Sequence, residues 1–124
     1  MKPVTLDDLS RAELLRLLRN RFLFLGRVTE HDMIQAQWEE AVSRLDPLGK
    51  AVRDAIRERN IAWDAVYVDR PTDRATEIKR LQILQAAEKA ERIADRNYKA
   101  CQTRCDRLNK QYEAATKTRR SSHA

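Results

Sequence analysis

The chain has 124 residues, 35% of them charged, with only two glycines and three prolines and a net charge of +6. That length fits one domain, and so few turn formers exclude a fold with many tight turns. Two glycines cannot build a dinucleotide or phosphate loop, two cysteines cannot build a disulfide framework, and the longest apolar run, Phe22–Leu25, falls far short of the ~20 residues a membrane span needs.

Ala, Leu, Glu, Lys, Arg and Gln dominate, as in long helices and coiled coils. The opening "MKPVTLDDLSRAELL" is charged too early for a secretory leader. The expectation is a soluble, cytoplasmic chain with reduced thiols. Residues 1–91 carry 16 Lys/Arg and 16 Asp/Glu, whereas residues 92–124 carry 9 and 3. The chain reads as a balanced body with a basic end, which can attract nucleic acid, an acidic protein or an anionic surface.

Thr5 with Asp8, and Ser10 with Glu13, are capping-box spacings. Leu14, Leu15, Leu18, Phe22 and Leu25 come next at helical spacing, and Gly26 suits a helix end. Helix 1 is expected over about 6–25, with a bend near Ser10. Thr29 with Asp32 opens the next helix, over about 30–68. Its apolar seam runs through Ile34, Trp38, Ala41, Leu45, Leu48, Val52 and Ala55 in steps of 4 and 3. Arg59 interrupts the seam, and Ala62 and Val66 resume it. Pro47 lies inside this run, so the helix is kinked or broken there, with Asp46 as a cap in the second case. Residues 65–68, "AVYV", suit a short strand but have no neighbour to pair with.

"DRPTDR", Asp69–Arg74, is the clearest turn, with Thr72 or Asp73 placed to cap the third helix. Helix 3 is expected over about 73–117. Its seam is read through Ile83, Ala87, Ala90 and Ala94, with one extra step of four, then Tyr98, Cys101, Cys105, Leu108, Tyr112 and Ala115. Residues 118–124 are expected as a disordered basic tail. The assembly this implies is a single all-α domain over 1–124: an elongated, coiled-coil-like antiparallel hairpin of helices 2 and 3, hinged near residue 70, with the shorter helix 1 packed on it. In that alignment Trp38 lies beside Cys101 and Cys105, and Leu108–Ala115 overhang the start of helix 2, where they can meet helix 1 or a second copy.

Cys101 and Cys105 share a helix face, but zinc takes three or four protein ligands, and the only internal histidine is His31. Both thiols fall on the apolar seam, where cysteine behaves as a small hydrophobe. No metal and no cofactor is expected. Neither His31 nor His123 has a nucleophile at motif spacing, and Glu39 and Glu40 diverge around their helix, so no catalytic residues are assigned and the chain is not expected to be an enzyme.

Two surfaces remain. Arg92, Arg96, Lys99, Arg107, Lys110 and Lys117 form a positive outer face that can lie along phosphates. Tyr98, Tyr112 and Trp38 are on the seam, so they are not free to stack on bases. Trp63 and Tyr67, one turn apart, and the overhanging Leu108 and Tyr112 are the candidate partner contacts. The function expected is a protein–protein interaction module: an adaptor, regulator or inhibitor of a larger assembly. The alternative is an accessory DNA- or RNA-binding protein that grips phosphates.

Overall fold

The computed structural model describes residues 3–21 and 28–122. Among these the chain is all-α: a 3-10 turn, Leu6–Asp8, then α1 (Arg11–Arg21), α2 (Glu30–Ser43), α3 (Leu45–Tyr67) and α4 (Arg74–Ser122). No described helix is long and apolar enough to cross a membrane. The helices gather into two compact units. Unit 1 comprises Met1–Arg44 and Cys101–Ala124, and unit 2 comprises Leu45–Ala100.

Hydroxyl–carboxylate pairs start α1, α2 and α4. The Ser10 N–H donates to Glu13 at 2.8 Å, and the Glu13 N–H donates to the Ser10 hydroxyl at 3.2 Å. Thr29 and Asp32 reciprocate in the same way at 2.9 and 3.2 Å. Asp73, rather than Thr72, caps α4, accepting from the Thr76 N–H at 3.0 Å. Each pair occupies amide N–H groups that the first helical turn leaves without partners.

Three elements differ from the sequence expectation. The first helix divides into the 3-10 turn and α1, with Leu9 between them in extended conformation. Its expected end, 22–25 with Gly26, lies outside the described residues. The second helix breaks at Arg44, not at Pro47; Arg44 keeps a helical backbone but its N–H turns to Ala41 and Val42. Pro47 is the third residue of α3. Its missing N–H would have bonded the Ser43 carbonyl, so the continuous helix fails one turn upstream, while the first turn of α3 tolerates the ring. Finally, α4 continues through Ser122, so the described part of the expected disordered tail is helical. The stretch 65–67 completes α3 as helix, not strand.

In unit 1, α1 and α2 enclose Leu9, Leu17, Met33 and Ala36, with Val4 and Leu14 against them. Ile34, Ala41, Cys105 and Leu108 are also buried in this unit. The outer side of α1 leaves Leu15 and Leu18 exposed. In unit 2, Ala62 and Val66 of α3 enclose Leu84 of α4, with Leu81 and Ala87 packed against them. Contacts there pair rising numbers on α3 with falling numbers on α4. Gly49 lies under the Tyr98 ring, Arg59 pairs with Glu91 at 3.0 Å, and the Ala65 carbonyl accepts from Arg80 at 2.8 Å. Arg80 also donates to the Asp69 carbonyl. One guanidinium thus satisfies a carbonyl of the last turn of α3 and another in the turn that follows, and its positive charge suits that end of the helix.

Candidate functional site

The two sides of the α3–α4 pair in unit 2 differ. One side is an open apolar groove of about 470 Å³, lined by Ile61, Ala62 and Ala65 of α3 and by Ile83, Ala86, Ala87 and Ala90 of α4, with Glu58 at one end. Ile61 and Ile83 are 64% and 61% exposed. The other side is a polar groove of about 400 Å³ that includes Arg59, Glu88, Glu91, Arg92 and Asp95.

Helix phase explains the difference. The inward residues of α4 are Leu84, Ala87, Glu91, Ala94, Tyr98, Cys101, Cys105, Leu108, Tyr112 and Ala115, all buried or half-buried, in steps of 3 and 4 throughout. The expected seam through Ile83 and Ala90, with its extra step of four, is therefore one residue out of phase. Glu91 sits inward because Arg59, the interruption in the α3 seam, meets it there. That pairing turns Ile83, Ala86 and Ala90 outward, where all three are exposed.

Trp63 and Tyr67 are each about half exposed, with ring centroids 4.9 Å apart. Helical spacing sets them on the side of α3 away from Ile61 and Ala65, so they form a separate aromatic patch. Leu108 and Tyr112 do not overhang. Leu108 is 3% exposed, and Tyr112 packs on His31 at 4.4 Å and Trp38 at 6.4 Å within unit 1. Trp38 accordingly contacts Tyr112.

The basic candidates fall in both units. In unit 2, Arg96 is exposed, Arg92 lies among the carboxylates of the polar groove, and Lys99 pairs with Asp95 at 2.9 Å. In unit 1, Arg107, Lys110 and Lys117 are exposed. Arg104, which the charge pattern does not single out, donates to Glu13 at 2.9 Å. Glu13 is 3% exposed, so its carboxylate is held by Arg104 on one oxygen and by the Ser10 N–H on the other. Arg16 similarly donates to Glu40 at 2.8 Å, and this hydrogen bond holds the Glu40 carboxyl below its ordinary range.

Cys101 and Cys105 are free thiols in unit 1. The Cys101 sulfhydryl donates to the Ala41 carbonyl at 3.3 Å, and burial, with Cys101 beside it, pushes the Cys105 thiol up. A thiol held protonated is a poor nucleophile and a poor metal ligand. No group of three or more His, Cys, Asp or Glu among the described residues could hold a metal ion. The Thr116 hydroxyl donates to the Tyr112 carbonyl, so His31 Nε2 donates to Thr116, and buried Nδ1 has no hydrogen-bond partner among the described residues.

Comparison of the chain with family models, with curated proteins and with solved structures finds no match.

Proposed function

We propose that the protein is a non-enzymatic helical interaction module, an adaptor, regulator or inhibitor that presents a helix pair to a larger assembly. In this reading α3 and α4 form a coiled-coil-like antiparallel hairpin. The observation that carries it is the apolar groove with Ile61 and Ile83 on its walls, since exposed aliphatic side chains lining one concave surface are the usual mark of a docking site. Alanines on the floor let another helix approach closely. The aromatic pair Trp63 and Tyr67 offers a second anchor on the opposite side. The same reading has the protein working in the cytoplasm, where free thiols such as Cys101 and Cys105 persist.

The test compares the wild-type chain with Ile61→Glu plus Ile83→Glu in affinity capture from the native host at moderate salt. A defined protein retained by the wild type and lost by the double variant supports the reading. Retention unchanged in the variant removes the groove from it.

A second reading rests on exposed Arg96, Arg107, Lys110 and Lys117, which can contact phosphates. It expects duplex DNA or single-stranded RNA to bind with a steep salt dependence and to be lost in Arg96→Gln with Lys110→Gln. The docking reading expects no change from those two substitutions.

A further inference from the structure

We propose that the occupant of the unit 2 groove is a second copy of this chain, docked groove to groove about a dyad parallel to α3 and α4. The proposal rests on the docking reading and names its partner.

A two-fold interface needs one surface that complements itself. This groove does so in shape. Within one copy, the Arg59–Glu91 and Ala65–Arg80 contacts put Ile61 at the level of Ala86 and Ala90, and Ile83 at the level of Ala62 and Ala65. A dyad parallel to the helices preserves those levels and exchanges α3 for α4. Ile61 of the second copy then stands over Ala86 and Ala90, and Ile83 of the second copy over Ala65. Each exposed isoleucine meets a floor of alanine, a knob in a shallow hole, and the floors permit close interhelical approach.

The groove also complements itself in charge. Along its α3 edge stand exposed Asp54, Glu58 and Asp64, against Arg57 alone. Along its α4 edge stand exposed Lys79, Lys89 and Arg96, with no carboxylate, because Glu88, Glu91 and Asp95 line the opposite side. The exchange of α3 for α4 sets the acidic edge of each copy against the basic edge of the other. The alternative dyad, perpendicular to the helices, would set acidic edge on acidic and basic on basic. Either dyad gives four helices, each antiparallel to both neighbours, so charge decides between them. One surface thus supplies bulk for smallness and plus for minus, which an unrelated partner would have to match separately.

Sedimentation velocity on the full chain over a wide concentration range tests this, with circular dichroism to show that each variant remains helical. The wild type is expected to dimerise. Ile61→Glu and Ile83→Glu, at exposed positions that leave the monomer's interior alone, are each expected to weaken the dimer roughly tenfold or more. Asp54→Lys with Glu58→Lys is expected to weaken it, as is Lys89→Glu with Arg96→Glu. All four changes in one chain restore it, an outcome that no other use of the surface produces. A dimer indifferent to these changes overturns the proposal. So does a monomer at every concentration, and binding of the dye anilinonaphthalene sulfonate then separates the two readings. Dye bound by the monomeric wild type and lost in Ile83→Glu leaves the docking site standing with another occupant. No dye bound removes the docking site as well.

Discussion

Unit 1 and unit 2 contrast two ways of covering a helix. In unit 1, three chain segments converge: α1 and α2 close over Leu9, Leu17, Met33 and Ala36, and the last part of α4 contributes Cys105 and Leu108. Glu13 is buried there with its charge answered by Arg104. In unit 2, only α3 and α4 meet, and two helices can hide only the stripe along which they touch. Ala55, Ala62, Val66 and Leu84 occupy that stripe, while Ile56, Ile61, Ile83 and Ile93 stay exposed. A third helix makes the difference, because an aliphatic residue one step off the contact line has no cover without one; the outer side of α1, with Leu15 and Leu18 exposed, follows the same rule within unit 1.

The sharpest test of that contrast is to truncate the centre of each unit. Leu17→Ala is expected to cost about 3 kcal/mol, since neighbours on several sides hold a cavity open. Leu84→Ala is expected to cost about 2 kcal/mol, because its half-open surroundings can collapse or admit water. Urea denaturation of both variants measures the two values, and equal losses would break the comparison.

A smaller effect concerns the polar members of the two seams. Arg59→Leu alone leaves Glu91 inward without its cation and is expected to destabilise by about 1 kcal/mol, discounted because both side chains retain some exposure. Arg59→Leu with Glu91→Leu is expected to recover that loss or exceed it, while relaxing the phase of α3 against α4. Thermal melts of the single and double variants form the cycle that tests this.

The smallest effect is acidic. Hydrogen bonds from Arg16 hold the Glu40 carboxyl down, and hydrogen bonds from Thr76 do the same for Asp73. A carboxyl depressed in the folded state contributes stability that is fully present above its unfolded value, 4.5 for Glu40 and 3.8 for Asp73, and is lost as the pH falls through the lower folded value. Melting temperature is therefore expected to fall below about pH 4.5, and Glu40→Gln is expected to flatten part of that slope. A slope unchanged by the substitution removes Glu40 from the account.

Helix starts and the α3 seam are legible in the residues because both depend on local spacing. Ser10, Thr29 and the 3–4 recurrence from Leu45 to Val66 need only their neighbours to be read. The phase of α4 is not legible in the same way. Glu91 occupies an inward position only because Arg59 lies opposite, and no local rule favours glutamate over Ala90 there. That one difference of phase hides the groove, since it assigns Ile83 to the interior. Trp63 and Tyr67 can be found from their spacing alone. Leu108 and Tyr112 pass for an overhang in the sequence because their cover comes from residues some eighty positions away, His31 among them.

The Glu13–Arg104 contact carries a consequence for the order in which the molecule is made. It joins residues 91 positions apart, whereas the Arg80–Ala65 contact joins residues 15 apart. Short closures cost less chain entropy and form sooner. On a ribosome, α1 and α2 emerge first and can close over Leu17 and Met33, but Glu13 waits for the last quarter of the chain to bring its cation, while the middle of the protein can already have folded behind them.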